Sequence, residues 1–434
     1  VFLAEKLLSM HPWAGKVKFA RTGGEANAIA IRIARSASGR EKVAICGYHG
    51  WHDWYLAANL IDKKRLDSHL IKGLSPRGVL KNLSGSVFTF EYNKFEVWID
   101  NFKSYIKDRD KTNDNEKSKY GIQFNPTREF LENAITSLYN AADTVTTPSG
   151  LTALIIPFLT FLNKGDHVLI SDSLYNPTRN FCEKILVNYG IKIEYFHPTK
   201  NIENFNNLIK KSTRLIFLES PGTATFDIID FPKIVKIAKK NDIITVADNT
   251  WASPIFCNPL KLGINIIIEA GTKYISGHSD ILLGFITTDK STAQKIRFYT
   301  KTLGICPGSE EVYLTLRGIP TLETRIKEIE KNALNLANEL LKNKKINKVY
   351  HPALKSHKNH KIWKRDFSGS SGLFSFELDK KYSNNYLEKF FKKLKIFKIG
   401  YSWGGFESLI TFPTINERKF KVKLKGSLVR VYCG

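Results

Sequence analysis

Between residues 151 and 269 the chain repeats one pattern that leaves few folds open. Short, almost unbroken apolar runs at His167–Ser171, Lys192–Phe196, Arg214–Glu219, Ile243–Asp248 and Ile264–Glu269 alternate with stretches of helical character. A helix is expected from Leu151, and Pro232–Lys240 is amphipathic. A strand that is apolar at every position has both faces buried, and alternation with helices supplies the cover, so the pattern predicts a mostly parallel sheet flanked by helices, an α/β fold. In such sheets ligands bind beyond the carboxyl ends of the strands, and residues that end a strand are therefore the ones to inspect. At 434 residues the chain exceeds a single ordinary core. From about Leu316 the pattern changes to a long charged helix, Glu323–Asn343, and strands at Gly372–Glu377 and Leu428–Tyr432, which predicts a smaller C-terminal α+β domain.

The beginning of the chain reads differently. Residues 1–100 suggest helix, glycine turn, helix, a strand at Lys42–Cys46 and an aromatic-rich loop, Gly47–Tyr55. A stretch of mixed charge without apolar period follows, KDRDKTNDNEKSK, and has the signature of a linker. The organisation expected is thus a segment 1–105, a polar linker 106–119, a large domain 120–318 and a small domain 319–434. Both ends have the look of cut ends, since Val1 stands in a helical pattern and Gly434 just after a strand.

The formal net charge of +25 raises the question of a polyanionic partner. Phosphate binding needs charge concentrated on one element, whereas the basic clusters here, such as Lys344-Lys345 and Lys392-Lys393, are short and interleaved with apolar residues. They read as solvated faces, and no nucleic-acid partner is expected. The longest apolar run, Leu151 to Leu162, contains Pro157 and is shorter than the roughly 20 residues of a membrane span, so no membrane partner is expected either. The five cysteines are far apart and form no C-x-x-C pair, which argues against disulfides or structural zinc and for a cytoplasmic protein.

Four features carry chemistry. Ser149-Gly150-Leu151-Thr152 precedes a helix, where glycine permits close approach and first-turn amides can hold a phosphate; a plain serine N-cap is the bland reading. Tyr175, after a strand, could stack on an aromatic ring or simply fill a rim. Asp248 ends the strand IITVAD and could keep a pyridine nitrogen protonated, or cap the next turn. Lys273, in Gly271-Thr272-Lys273-Tyr274, would be a surface lysine if judged alone, but a lysine placed by a strand in a dry site becomes a nucleophile. Their order along the chain, phosphate turn, aromatic, aspartate, lysine, is what makes them specific together.

From Tyr120 to Gly434 the chain resembles the cystathionine β-lyases of the Cys/Met-metabolism group of pyridoxal-phosphate (PLP) enzymes, of fold type I. The residues that carry the resemblance include TPSGLTAL (147–154), SDSLYNPTRNFCEKIL (171–186), LIFLESPGT (215–223), ADNTWASP (247–254), GTKYISGHSDILLG (271–284) and YSWGGFESL (401–409). The resemblance implies that Lys273 carries the cofactor as a Schiff base, that Asp248 pairs with its ring nitrogen and that Tyr175 stacks on the ring and takes part in catalysis. It implies that the amides of Gly150 and Leu151, with the Thr272 hydroxyl, hold the phosphate, that Ser149 and Tyr120 also contact the cofactor, and that Ser402, Trp403 and Arg430 meet an amino-acid substrate, Arg430 at its α-carboxylate. Trp403 favours β-elimination over γ-chemistry within the group. A homo-oligomer, dimer or tetramer, is implied as well. The pattern departs after Tyr120-Gly121, where Ile122-Gln123-Phe124 stand in place of the usual arginine, and the amino-terminal arm and final helix of the group are expected to be missing.

Residues 1 to about 100 resemble an internal piece of class III aminotransferases of the glutamate-1-semialdehyde aminomutase type, through FARTGGEANAIAIRIAR (19–35) and GYHGWHDWYLAANL (47–60). There Thr22-Gly23-Gly24 would hold a phosphate and Tyr48 would stack on a ring. His49, His52 and Asp53 offer a rival metal reading that the resemblance disfavours, and no metal is expected. The piece stops before any aspartate strand or Schiff-base lysine of its own, so it is expected to be an inactive fused remnant. Three functions therefore stand open: a PLP-dependent carbon–sulfur lyase, an aminotransferase or aminomutase activity, and a non-catalytic fusion.

Overall fold

In a computed structural model, the described residues are all of the chain except Val1, Pro12, Cys46, Asp62, 64–65, 68–71, 90–124 and Asn201. The chain divides into two units, Val1–Glu116 and Lys117–Gly434. In the first, helices Phe2–Met10 and Gly23–Ser38 precede a two-stranded parallel sheet of β1 (Val43–Ile45) and β2 (Val87–Thr89). Thr22 caps the second helix by accepting from the amide of Glu25, and Gly39 ends it in the left-handed region. Its small core gathers Ile45, Tyr55, Leu56, Leu66, Leu74, Val79 and Val87.

The second unit is built on a seven-stranded sheet. Its strands are β3 (Asp143–Thr147), β4 (His167–Ser171), β5 (Lys192–Phe196), β6 (Thr213–Glu219), β7 (Ile244–Asp248), β8 (Ile266–Glu269) and β9 (Gly284–Thr288), in the spatial order β3-β9-β8-β7-β6-β4-β5. All point the same way except β9, which pairs antiparallel with both β3 and β8. The sheet is therefore mostly parallel. The five expected strands lie within two residues of their predicted limits, whereas β3 and β9 have no counterpart among the apolar runs. The sequence of β3, Asp-Thr-Val-Thr-Thr, lacks the apolar run that marks the others, because its buried threonines are satisfied by hydrogen bonds, Thr144 to Thr287 and Thr146 to Glu132.

Helices cover both faces. The helix Phe231–Lys240 buries Phe231, Ile234, Val235 and Ala238, the i, i+3, i+4, i+7 stripe of an amphipathic helix. Pro126–Tyr139, Gly150–Phe161 and Ala293–Thr302 complete the frame. A 21-residue helix, Leu322–Lys342, then leads into a five-stranded sheet of β10 (Ile346–Tyr350), β11 (Leu373–Leu378), β12 (Lys398–Ile399), β13 (Leu409–Thr411) and β14 (Leu428–Tyr432), ordered β10-β11-β14-β13-β12. No helix among the described residues is long and apolar enough to cross a membrane.

Because β3, β4, β6, β7 and β8 are codirectional, their carboxyl ends share one edge of the sheet. Ser149 follows β3, Tyr175 follows β4, Glu219 and Asp248 end β6 and β7, and Lys273 follows β8. Strand polarity alone thus brings together residues that span more than a hundred positions.

Candidate functional site

These strand ends and the small sheet enclose a cavity of about 540 Å³. Ser149, Gly150, Leu151, Tyr175, Asp248, Thr272, Lys273, Ser402, Trp403 and Arg430 all line it. The turn Tyr401–Gly405 comes to rest on the lysine: Lys273 Nζ donates to Ser402 Oγ at 2.8 Å and lies 5.2 Å from the centre of the Trp403 ring. Trp403 packs in turn on Tyr274, with ring centres 5.4 Å apart. Gly404 makes this approach possible, since it sits at φ +93° and a Cβ there would fall 2.6 Å from Lys273 Cα. Burial, and secondarily Arg430, pushes the Lys273 amine down to about 8, while Asp248 opposes the shift. Arg430, on β14, is itself pushed down to about 10 by burial and donates to the Tyr401 carbonyl at 2.5 Å.

Asp248 is held by the amide and hydroxyl of Thr250, at 2.9 and 2.6 Å, both on Oδ1. Burial raises its carboxyl, against the pull of those bonds and of Lys273. The Thr250 hydroxyl also accepts from the Ala270 amide at 2.9 Å, so the loop that carries Lys273 is tied to the aspartate through one side chain. Ser149 is the N-cap of Gly150–Phe161 and accepts from the Thr152 amide at 3.1 Å. The amides of Gly150 and Leu151 have no carbonyl in their own helix to bond. Thr272 is in place, but its hydroxyl already donates to the Leu283 carbonyl and accepts from the Leu283 amide, so it would have to turn to meet a phosphate. Tyr120 lies outside the described residues, as do Gly121, Ile122, Gln123 and Phe124.

The residues present suit a pyridoxal phosphate. A helix start with first-turn amides takes a dianion, a half-buried carboxylate suits a ring N–H, a half-buried amine of lowered proton affinity suits an aldehyde, and a half-exposed aromatic side chain lines the cavity. Two carboxyls that the sequence did not mark also gather here. Glu219 lines the cavity beside Asp248, and burial with that neighbour pushes it up to about 8. Glu269, behind the lysine loop, is likewise pushed up to about 8 by burial; it accepts from the Tyr139 hydroxyl at 2.7 Å, and its Oε1 is buried without a partner. Both end apolar strands, as Asp248 does, and that was the available signal.

Glu269 has a consequence for stability. Its folded-state value lies above its unfolded one, so the folded chain binds the extra proton and loses stability as pH rises from about 4.5 to about 8. Glu269→Gln is expected to match the parent in thermal melting at pH 4 and to melt higher at pH 8.5. Identical differences at both pH values would contradict this assignment.

In the first unit, Thr22-Gly23-Gly24 does form a helix start, with the His52 ring close over Gly24. Tyr48 packs edge-on against Tyr55, with ring centres 5.7 Å apart. Among the described residues no group of three or more His, Cys, Asp or Glu side chains is placed to hold a metal ion.

Comparison with known proteins covers the second unit and a little more. The model of the family described as "Cys/Met metabolism PLP-dependent enzyme" matches residues 88–434 and leaves residues 1–87 unmatched. A cystathionine beta-lyase of Haemophilus influenzae is 38% identical over 322 residues, 73% of this chain and 81% of that protein. An L-alanine/L-glutamate racemase of Wolbachia pipientis is 39% identical over 314 residues, 71% of this chain and 77% of the relative. Among solved structures, a cystathionine gamma-lyase from Lactobacillus plantarum complexed with L-serine superposes with a TM-score of 0.69 at 26% identity, covering 74% of this chain and 86% of that one. The sheet order, the lysine-centred cavity and the extent of these matches lead to one conclusion: the chain belongs to the Cys/Met metabolism PLP-dependent enzyme family, of fold type I, and acts on an amino acid.

Proposed function

We propose that the chain cleaves cystathionine by β-elimination, with water consumed and homocysteine, pyruvate and ammonia released. One observation carries the reading: Lys273 Nζ is bonded to Ser402 and overlain by Trp403, within a cavity that also holds Asp248, Tyr175 and Arg430. When bound, pyridoxal phosphate supplies a ring that withdraws the electron pair left at Cα.

The chain's own groups do the rest. Gly150 and Leu151 amides at the helix start would hold the phosphate, and Asp248 would keep the ring nitrogen protonated. Arg430 takes the substrate α-carboxylate on its planar fork, which orients the Cα–H bond toward Lys273. Lys273 Nζ removes the Cα proton, the Cβ–S bond breaks, and the protonated amine is then the acid nearest the leaving sulfur. Ser402 steers Nζ between its positions, and Tyr175 covers the ring. The three-carbon remainder hydrolyses to pyruvate and ammonia.

The same reading makes 120–318 the cofactor domain and 319–434 the small domain, and the protein a cytoplasmic homo-oligomer. It is supported by the two sheets on either side of residue 319 and by the widely separated cysteines. The racemase relative supports a second reading, since Lys273 and Tyr175, two side chains able to exchange a proton, both line the cavity. Holoenzyme incubated with cystathionine should release pyruvate and a free thiol in equal amounts. Holoenzyme that inverts L-alanine or L-glutamate and releases no pyruvate from cystathionine would overturn the lyase reading in favour of the racemase.

A further inference from the structure

Tyr175 poses a problem of placement. Its ring stands at the cavity mouth, 47% exposed, and its hydroxyl has no hydrogen bond among the described residues. With no side-chain hydrogen bond to hold it, the ring depends for its orientation on the main chain that carries it. Downstream the chain is fixed, because the Tyr175 carbonyl accepts from the amides of Thr178 and Arg179 as the next helix begins. Upstream, the Tyr175 amide donates to Glu219 Oε2 at 2.5 Å.

Glu219 is well suited to hold it. Only 8% exposed, it ends β6 in register with Asp248 on β7. Its Oε1 accepts from the Thr223 hydroxyl at 2.5 Å, and its own amide donates to Ser171 Oγ at the end of β4 at 3.1 Å. Thr223 is fixed in turn by its amide on the Ser173 carbonyl, 2.7 Å, and by Arg418 on its own carbonyl. One carboxyl therefore locks the loop after β4 to the loop after β6, and it does so against the residue whose ring faces the cavity.

We propose that Glu219 is the positioning residue for Tyr175, holding the tyrosine main chain so that its ring covers the bound cofactor. The proposal rests on the reading of Tyr175 as the ring-stacking residue. Burial, and secondarily Asp248, pushes the Glu219 carboxyl up, while the bonds from Thr223 and Tyr175 oppose the shift. The titratable and polar groups around it are Asp248 on β7, Tyr175 after β4, Thr223 in its own loop and Arg418.

The test is a double-mutant cycle on the full chain, reading the Kd of the apoprotein for pyridoxal phosphate by fluorescence titration and the melting temperature of each variant. Glu219→Leu removes the acceptor and should weaken cofactor binding about tenfold, because a ring displaced by a fraction of an ångström loses its stacking. Glu219→Gln keeps an acceptor and should stay within about threefold of the parent. In a Tyr175→Ala background, Glu219→Leu should cost less than about twofold. An equal cost in both backgrounds, or a Gln variant as impaired as the Leu variant, overturns the proposal. Unchanged cofactor binding in Tyr175→Ala alone overturns the stacking assignment beneath it, and with it the proposal. The reading as a lyase is untouched by either result, since no substrate enters the measurement.

Discussion

Lys273→Ala is expected to abolish turnover, lowering the rate of pyruvate release from cystathionine by on the order of a thousandfold or more. The expectation follows from the isolation of the amine. Nζ sits between the Ser402 hydroxyl and the Trp403 ring, and no other lysine lines the cavity among the described residues. The variant should also fail to retain pyridoxal phosphate through gel filtration and should show no visible band. The amine's depressed proton affinity adds a second readout. Since burial and Arg430 bring it down to about 8, the rate at which the apoprotein takes up the aldehyde should climb about tenfold per unit up to pH 8 and then level. An ordinary lysine would go on climbing toward 10. A variant retaining a tenth of parental activity would remove Lys273 from the centre of the mechanism.

The second large effect is expected at Asp248. Asp248→Asn preserves shape and an oxygen for the two Thr250 bonds, so folding should be spared. What is lost is the negative charge in a half-buried position of lowered dielectric, where it would stabilise a ring cation more strongly than in water. The rate should fall by on the order of a hundredfold or more with little change in melting temperature. Activity within threefold of the parent would show that the ring needs no charge from this strand. The two substitutions act on different atoms of the cofactor and should be told apart by spectra: Lys273→Ala loses the covalent band, whereas Asp248→Asn keeps it and alters its pH dependence.

Much of this site is legible in the order of residues along the chain. Lys273, Asp248, Tyr175 and Ser149 all follow or end strands, and a parallel sheet presents strand ends at one edge whatever the order of its strands. A shared site is therefore deducible from local pattern. Glu219 does not stand out in the same way, even though it ends LIFLE as plainly as Asp248 ends ITVAD, because a carboxylate at a strand end has no one meaning until its neighbours are known. Thr272 shows the opposite limit. Its position in the chain fits a phosphate ligand, yet its hydroxyl is engaged by the Leu283 main chain across a loop.

The sequence by itself determined which segments form most of the strands and helices, the mostly parallel character of the sheet and the family, because these depend on periodicity, strand-end residues and contiguous motifs. Tertiary structure alone decided that β9 enters the sheet reversed between β3 and β8, that the turn carrying Ser402 folds onto a lysine 129 positions earlier, and that one carboxyl ties Tyr175 in place. The physical reason is the same in each case. Strand order, loop docking and the burial that moves a proton affinity are properties of packing between distant segments, and no local pattern of residues encodes the dielectric or the neighbour that a side chain will meet.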